Sequence, residues 1–415
     1  MIRLVRGVGL LAERNFRLLW FGETISQLGT AVTTVAMPLL AVLALDASTF
    51  VVGLLNAAVW LPWVLVGLPA GAVVDRLPSR LVMILADAIS VLLLLSVPVA
   101  AHFGLLTVPL LLAVAFGVGV AAVFLLTAYQ VLLPSLVEAE HLPEANSKLL
   151  GSEAAARIVG PGLGGVLTQL VGAVTGLVVN AAGFLVSLVC LSTIRVREEA
   201  GRRVERGGSL LRDVAVGVRH VVVDPYLRPL TLYAAVSNLA AAALQALQVV
   251  FLVRAVGVGS AEVGLVLALA GSGAVLGALA VRRFTARTGT ARGLLLIALC
   301  TAPFALLMPL STGGVGLLWF VVGGFVLDAG IAAVNVIIGS FRQRYCPREV
   351  LGRVTASMRT VSNGALPLGA LLGGALGTFL DLRAAMWVAA ASQLVCVVFL
   401  LTRHLRRLRD LPVAA

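Results

Sequence analysis

Charged residues are scarce in this chain of 415 residues. They make up 12% of it, while hydrophobic residues make up 60%. A soluble globular protein has about 25% charged and about 45–50% apolar residues. The chain therefore has too few charged groups to solvate the surface of a soluble particle of this size. A disordered chain is excluded as well, because such chains are poor in apolar residues.

Lysine is nearly absent, since Lys148 is the single one among 31 basic residues. No glycine-rich segment precedes Lys148, so the chain lacks the phosphate-binding loop of nucleotide-driven pumps. The four histidines form no HExxH motif and no serine lies in a GxSxG motif, which removes the signatures of metal and serine hydrolases. We therefore predict that the protein is not an enzyme.

Cysteine is also rare, and none of the four cysteines has a CxxC partner. Their spacing argues against a disulfide framework and against a zinc site. Together with the missing motifs above, this spacing predicts no cofactor and no bound metal.

Long apolar runs, in contrast, are abundant. A helix needs about 20 apolar residues to cross a bilayer. The predicted spans cover residues 16–44, 49–74, 80–101, 104–128, 151–173, 175–195, 226–255, 260–282, 293–311, 314–341, 355–380 and 383–403. The sequence thus predicts an all-α membrane protein with twelve transmembrane helices.

The largest polar gap lies between the sixth and seventh spans. It predicts an N-terminal six-helix bundle at 1–195, a cytoplasmic linker at 196–225, and a C-terminal six-helix bundle with a short cytoplasmic tail at 226–415. Residues of the first bundle recur at constant spacing in the second: Arg17, Ser26, Gly53 and Leu54 return as Arg228, Ser237, Gly264 and Leu265. Six helices per copy keep the repeats parallel, an arrangement found in transporters with a substrate site near the bilayer midplane.

The basic residues are distributed unevenly about these spans. With the N-terminus inside, only Arg254 and Arg383 fall in outer loops, and only Arg157 and Arg359 fall within spans. All other basic residues then lie in inner loops or tails. Because cytoplasmic loops of membrane proteins favour arginine and lysine, we predict a multi-pass cell-membrane protein with both termini in the cytoplasm. This bias also explains the net charge of +12 without a nucleic-acid partner.

The loop after the second span is short and charged. It runs Gly71-Ala72-Val73-Val74-Asp75-Arg76-Leu77-Pro78-Ser79-Arg80, which resembles motif A of the major facilitator superfamily, G-x3-D-R-x-G-R-R. Pro78 replaces the second glycine of that motif and Ser79 replaces one basic residue. The resemblance implies a gating role for a set comprising Gly71, Asp75, Arg76 and Arg80, and we expect Asp87 of the third span to support the same inner gate.

The fifth span carries a Gly-Pro-x-x-Gly-Gly segment. It reads Arg157-Ile158-Val159-Gly160-Pro161-Gly162-Leu163-Gly164-Gly165 and resembles motif C, the antiporter motif of drug-exporting members. Proline removes a helix hydrogen bond and glycine permits close helix packing, so this segment can bend and pack tightly. Ordinary packing between membrane helices remains the alternative.

A narrower resemblance covers most of the chain. Its segments are Arg14-Asn15-Phe16-Arg17-Leu18-Leu19-Trp20, Pro134-Ser135-Leu136-Val137, Ala145-Asn146-Ser147, the segment at 160–165, Gly352-Arg353-Val354 and Pro367-Leu368-Gly369 with Gly373-Gly374. These segments are similar to the subgroup that contains the enterobactin exporter and macrolide efflux proteins. The resemblance implies proton-driven export of bulky, fairly hydrophobic small molecules. Many relatives of this type carry an acidic residue at the position of Thr30.

Ionisable residues inside spans are functional hypotheses, because burying a charge in the membrane is costly. Asp328, near the middle of the tenth span, and Glu23, in the first, are the candidates for proton coupling. Arg157 and Arg359 occupy matching positions in the two halves, and each has either a structural role or a carboxylate partner such as Glu153.

Uncharged polar residues also punctuate the spans. The first, fourth, seventh and tenth spans line the cavity in this superfamily, which makes a group of residues candidates for substrate contact: Gln27, Asn238, Gln245 and Asn335. The alternative for each is a hydrogen bond between helices, worth about 0.6 kcal/mol.

These observations predict a secondary active transporter that exports a hydrophobic or amphipathic small molecule, of drug, macrolide or siderophore type, by alternating access. Its partners are the substrate, protons and the lipid bilayer, and we expect a monomer that binds no nucleic acid. The first alternative is an importer or facilitator of a small nutrient. The second is a membrane scaffold or sensor, which would need a larger soluble segment than the linker or the tail.

Overall fold

The computed structural model describes residues 9–74, 76–195 and 218–413. Within these ranges every regular element is a helix.

The helices of the N-terminal half are listed here in chain order: α1 (Arg14–Ala44), α2 (Thr49–Leu65), α3 (Gly67–Val74), α4 (Ser79–His102), α5 (Val108–Leu136), α6 (Leu142–Val171) and α7 (Ala173–Thr193). The C-terminal half contains α8 (Leu227–Val250), α9 (Ser260–Thr288), α10 (Thr290–Thr301), α11 (Leu317–Tyr345), α12 (Arg348–Phe379), α13 (Leu382–Val398) and α14 (Arg403–Arg406). A π-helical segment, Phe251–Val256, follows α8, and a 3₁₀ segment, Ala302–Leu310, follows α10. Shorter 3₁₀ turns are Gly9–Ala12, Ala139–His141 and Gly314–Gly316.

Each of the twelve predicted spans contains a helix. Among the described residues, nine helices are long and apolar enough to cross a membrane, and α2 and α13 are shorter apolar helices. The eleventh predicted span, 355–380, lies within α12, a helix of 32 residues. The prediction of an all-α fold with twelve membrane helices is confirmed.

Prolines account for the interruptions of two predicted spans. The second span divides into α2 and α3 because Pro69 has no N–H to donate to the carbonyl group of Leu65. The ninth span changes from α-helix to 3₁₀-helix at Ala302, next to Pro303, and Pro309 lies inside the 3₁₀ segment.

Several helices extend beyond the apolar runs that predicted them. Helix α5 continues to Leu136, α6 begins at Leu142 and α12 begins at Arg348, whereas the runs predicted an end at 128 and starts at 151 and 355. The apolar run marks only the part of a helix that lipid must cover. The adjoining polar residues continue the same backbone hydrogen bonds past it.

Contacts divide the chain into two compact units. The first unit comprises Met1–Ala47, Leu61–Val204 and Gly259–Leu265, and the second comprises Ser48–Trp60, Glu205–Val258 and Val266–Ala415. The first turns of α2 therefore group with the second unit, and the first turns of α9 group with the first. The sequence repeat, by contrast, divides the chain at a single linker.

Helix α1 forms the centre of the first unit. It packs against α6 and α7, and α4 packs against α5 and α7. The side chains of Phe16 and Leu19 in α1 are fully buried. This packing brings the polar residues of α1 next to those of α6, which is the basis of the site described below.

In the second unit, α8 packs against α12 and α13. The Arg383 guanidinium group at the start of α13 donates hydrogen bonds to the carbonyl oxygens of Pro309 and Ser311, over 3.0 and 3.1 Å. These bonds satisfy carbonyl groups at the end of the 3₁₀ segment.

The C-terminal tail of the second unit is ordered against α10. Asp410 Oδ1 accepts a hydrogen bond from the backbone N–H of Thr290 over 2.9 Å, and Leu411 N–H donates to Thr290 Oγ1 over 2.8 Å. Leu405 and Leu411 are buried. The tail therefore caps the first turn of α10, and its two leucines pack into the hydrophobic core of the second unit.

Candidate functional site

Glu23 lies on α1 and pairs with a neutral amide. Its Oε1 accepts a hydrogen bond from Gln27 Nε2 over 2.8 Å, and both side chains are partly buried. The two residues are four apart and so share one face of the helix. Gln27, which the sequence suggested for substrate contact, donates this hydrogen bond to the Glu23 carboxyl group.

Helix α6 places further polar side chains close to this face of α1. Trp20 Nε1 donates to Ser152 Oγ over 2.9 Å. One turn further, Arg157 Nη2 and Nε both donate to Glu153 Oε1, over 2.9 and 3.2 Å. Arg157 therefore has a carboxylate partner one turn before it in its own helix.

Two more groups complete the polar cluster of the first unit. Glu153 and Tyr129, the latter from α5, lie within electrostatic range of Glu23. Asp87 of α4 is also within electrostatic range of Glu23. We use the name polar cluster for a set of residues that four helices bring together: Trp20, Glu23, Gln27, Asp87, Tyr129, Ser152, Glu153 and Arg157.

Asp87 has an unusual environment within this cluster. Its side chain is 0% exposed, and neither carboxylate oxygen makes a well-formed hydrogen bond in the described part of the chain. The Ser187 hydroxyl group of α7 nevertheless lies close enough to Asp87 to interact with its carboxyl group. A buried ionised group without a partner is strongly unfavourable. Its burial singles out Asp87, for which the sequence predicts a supporting role at the inner gate.

The sequence did not single out Trp20 and Ser152 as site residues. A local signal for them exists, because Trp20 precedes Glu23 by one helical turn and Ser152 adjoins Glu153. The contact between them depends on how α1 and α6 pack, and no local pattern contains that information.

The motif A loop contributes one clear interaction. Arg80 Nε donates to the carbonyl oxygen of Leu191 over 2.7 Å, and Arg80 Nη2 donates to that of Ser192 over 2.6 Å. These carbonyl groups belong to the last turn of α7, where helix carbonyls lack partners within the helix. Arg76 is exposed and Gly71 lies in α3. Asp75 lies outside the described residues.

The Gly-Pro-x-x-Gly-Gly segment of α6 is a close-packing surface. A Cβ atom on Gly164 would lie 2.7 Å from the carbonyl oxygen of Val32 in α1, and one on Gly165 would lie 2.7 Å from the Cα of Gly264 in α9. Gly160 faces Ala31 in the same manner, and Pro161 lies inside α6 without ending it. The segment thus brings the backbones of α1 and α9 close to α6.

The second unit holds the other proton-coupling candidate. Asp328 lies in α11 and is partly buried. Near Asp328 on the same helix, the backbone carbonyl groups of Phe325 and Ala329 pack against α9 at Gly273 and Gly277. No ion pair involves Asp328 among the side chains that the structure describes.

The remaining candidates of the second unit differ in their surroundings. Asn238 Nδ2 donates to the carbonyl oxygen of Ser362 over 2.9 Å, which ties α8 to α12. Gln245 and Asn335 are exposed on α8 and α11. Arg359 is exposed and lies within electrostatic range of Arg342. It has Thr355 where Arg157 has Glu153, so the two matching arginines have different environments.

One group of metal-type ligands exists at the surface. Glu138, Glu140 and His141 each bring one ligand atom within 4.8 Å of the others, and the two glutamates are exposed. Exposed acidic groups of this kind are common in proteins without a bound ion. We assign no function to them.

Comparison with known families gives a match over nearly the whole chain. The model of a family described as transmembrane secretion effector covers residues 7–414. The multidrug efflux pump Tap of Mycolicibacterium fortuitum is 30% identical over 413 residues, which cover 96% of this chain and 97% of that protein. The multidrug efflux pump Tap of Mycobacterium tuberculosis is 28% identical, with 96% of this chain and 94% of that protein covered.

Solved structures show the same fold at low sequence identity. A nucleoside transporter, NupG, superposes with a TM-score of 0.74 at 12% identity, over 95% of this chain and 99% of that one. A bacterial homologue of the iron transporter ferroportin, in an inward-facing state, gives a TM-score of 0.71 at 18% identity, over 94% of this chain and 98% of that one. These likenesses concern the fold alone.

Proposed function

Since the chain belongs to the transmembrane secretion effector family of major facilitator transporters, we propose that it is an efflux pump for hydrophobic or amphipathic drugs, driven by protons. It is a multi-pass membrane transporter and not an enzyme. Our proposal concerns its substrates, its coupling ion, its orientation in the membrane and its oligomeric state.

The observation that carries the proposal is the similarity to a multidrug efflux pump at 30% identity over 96% of the chain. It extends across both six-helix halves and is not confined to one motif. The Gly-Pro-x-x-Gly-Gly segment of α6, which packs closely at Gly164 and Gly165, also supports export, because it resembles the antiporter motif of drug exporters. A substrate of drug type also suits spans that contain few charged side chains.

Proton coupling is supported by the environment of the carboxyl groups. The hydrogen bond to Glu23 comes from the neutral amide of Gln27, and the side chain of Asp87 is fully buried with the neutral hydroxyl group of Ser187 as its polar neighbour. No ion pair involves Glu23, Asp87 or Asp328 among the described side chains. Carboxyl groups that lack a fixed cation can exchange a proton with modest electrostatic cost. We assign Asp328 and Glu23 as the principal proton carriers, with Asp87 as a further one.

Topology and assembly follow from the same sequence evidence. The arginine distribution supports a cytoplasmic position for both termini, and with it a position of Arg80 and Asp87 near the inner gate. Gln245 and Asn335, whose side chains are exposed on α8 and α11, are the substrate-contact candidates of the second half. We propose that the monomer is the transporting unit.

The test measures accumulation in cells that lack their own efflux pumps. Macrolides, siderophores and cationic dyes are followed with and without a protonophore. The variants are Asp328→Asn, Glu23→Gln and Asp87→Asn, and the matched control is Glu13→Gln, which removes an exposed carboxyl group. Expression and membrane insertion of each variant are measured in the same cells.

We expect the parent protein and Glu13→Gln to lower accumulation of at least one compound, and the protonophore to abolish that effect. At least one of the three buried-carboxyl variants should lose it. Export that survives the protonophore would refute proton coupling. Unchanged accumulation of every compound would refute drug efflux, and raised accumulation would indicate an importer instead.

A further inference from the structure

A cavity of about 250 Å³ lies within the second unit, away from the polar cluster. It is enclosed by the last turns of α9, the start of α10, the second half of α11 and the C-terminal tail. This is the arginine-rich end of the helices, which we propose faces the cytoplasm. The efflux function described above makes no use of it.

One end of the cavity is basic. Arg282 of α9 and Arg344 of α11 line it together with the hydroxyl-bearing residues Thr285 and Ser340. Among the side chains that the structure describes, neither guanidinium group forms an ion pair with a carboxylate, and no acidic residue lines the cavity. Two guanidinium groups beside hydroxyl donors suit a phosphate group, since arginine binds phosphate through paired N–H donors.

The acidic side chain next to the lining residue Leu411 is already engaged in a hydrogen bond. Asp410 Oδ1 accepts from the backbone N–H of Thr290, which is itself a lining residue. The tail carboxylate therefore stabilises the wall of the cavity and does not neutralise its arginines. Both guanidinium groups are exposed, so an anion from outside the chain can reach them.

The other end of the cavity is apolar. Along α11 the lining residues include Val336, Ile337, Ser340 and Arg344, which share one face of the helix. Eight residues of helix span about 12 Å, so the lining changes from charged to aliphatic over that distance toward the membrane interior. Val336 is 42% exposed, so this end of the cavity is open.

The tail adds apolar residues beside the first turn of α10. Leu411, Pro412 and Val413 line the cavity, and Leu411 is held by its N–H bond to Thr290 Oγ1. Two exposed arginines beside an aliphatic lining from α9, α11 and the tail match a molecule with a phosphate headgroup and an acyl chain. A small soluble phosphate would leave the aliphatic half unfilled.

We propose that this cavity binds an anionic phospholipid, with its phosphate on Arg282 and Arg344 and one acyl chain along Val336 and the tail. Basic pockets between membrane helices on the cytoplasmic side are known to bind anionic lipid headgroups. The bound lipid joins α9, α11 and the tail, and it thereby stabilises the second unit at the membrane surface.

The experiment uses the full-length protein in a neutral detergent and measures its melting temperature during titration with short-chain phosphatidylglycerol. Parallel titrations use short-chain phosphatidylcholine, glycerol 3-phosphate and inorganic phosphate. The test variant is Arg282→Gln with Arg344→Gln. The control is Arg283→Gln with Arg406→Gln, which removes two exposed arginines of the same unit that do not line the cavity.

We expect phosphatidylglycerol to raise the melting temperature, and the test variant to need at least about tenfold more of it, because each arginine near an anionic headgroup contributes to binding. The control should titrate like the parent. An equal weakening in the control would show a diffuse surface charge and overturn the proposal. So would a test variant that titrates like the parent.

A second variant examines the apolar half without changing charge. Val336→Trp adds bulk at an exposed lining position, and we expect it to weaken phosphatidylglycerol binding while leaving the response to inorganic phosphate unchanged. If glycerol 3-phosphate or phosphate stabilises the parent at the same concentrations as phosphatidylglycerol, the site binds a soluble anion and the lipid assignment is wrong. The proposal does not depend on transport, so its failure would leave the efflux function untouched.

Discussion

Arg80 caps the end of α7 by donating to the carbonyl oxygen of Leu191 over 2.7 Å. A second bond, 2.6 Å long, goes to the carbonyl oxygen of Ser192. The C-terminus of a helix carries partial negative charge and unpaired carbonyl groups. The basic end of the motif A loop therefore anchors α4 to α7 within one unit.

Loss of this cap should destabilise the protein. We expect Arg80→Gln to lower the free energy of unfolding by about 1 to 2 kcal/mol, because two charge-assisted hydrogen bonds are removed. The measurement is thermal unfolding of the purified protein in detergent. Arg76→Gln, in the same loop and exposed, is the control and should unfold like the parent. If the two substitutions lowered stability equally, the charge of the loop and not the hydrogen bonds to α7 would account for the effect.

Gly164 permits contact between α6 and α1, and a side chain there has no room. Gly164→Ala would place a Cβ 2.7 Å from the carbonyl oxygen of Val32. We expect a loss of about 1 to 3 kcal/mol in stability, as for overpacking elsewhere, together with reduced transport. Gly151→Ala lies in the same helix with no atom near its Cβ position, so stability there should be unchanged or higher. A Gly164→Ala protein as stable as the parent would contradict the packing.

Arg157 and Glu153 form an exposed pair, with 76% and 37% of their side chains accessible. Exposed i,i+4 pairs contribute only about 0.3–0.5 kcal/mol. We therefore expect Arg157→Gln to leave thermal stability nearly unchanged but to reduce drug export, because the carboxylate beside Glu23 loses its cation. Lys148→Gln breaks the comparable pair with Glu144 and should affect neither. If Arg157→Gln also exports normally, the arginine has no role in transport.

Removing the charge of Asp87 should leave the stability of the protein intact but impair its export activity. Its buried carboxyl group forms no ion pair among the described side chains, and burial of a charge without a countercharge is costly. Asp87→Asn is nearly the same shape, so we expect equal or greater thermal stability together with impaired export. Ser187→Ala, which alters its polar neighbour, should have a smaller effect on export. A marked drop in the stability of Asp87→Asn would mean that the carboxylate is paired in the folded protein.

Cys346, in the turn between α11 and α12, should react slowly with thiol reagents. Burial raises the pKa of its thiol, and the nearby Asp224 carboxylate raises it further. A raised pKa means less thiolate at a given pH, and only the thiolate reacts. In a protein with the other three cysteines replaced by alanine, labelling by a maleimide should be slow near neutral pH. It should still rise at a pH where an ordinary thiol has reached its full rate.

The control for this labelling is Glu138→Cys in a protein without native cysteines, because position 138 is exposed. Its rate should follow an ordinary thiol. Equal rates at the two positions at neutral pH would show that the Cys346 thiol is neither buried nor perturbed.

The twelve spans and the arginine distribution could be derived from the sequence because both are local properties. A membrane helix satisfies its own backbone hydrogen bonds, and its length is set by bilayer thickness. The Glu23–Gln27 hydrogen bond is also local, since residues four apart share a helix face. The effect of Pro69 on the second span and the length of α6 beyond its apolar run are likewise sequence effects, although hydropathy alone did not reveal them.

Only the tertiary structure decided which distant groups meet. The Trp20–Ser152 and Arg80–Leu191 bonds, the burial of Asp87 and the capping of α10 by Asp410 all join segments far apart in the chain or depend on their packing. In a soluble protein, apolar periodicity would show which face of each helix is buried. In a membrane, faces toward lipid and faces toward other helices are both apolar. Helix rotation and register are therefore not encoded in hydropathy, and they become visible only when close packing at residues such as Gly164 brings the backbones together.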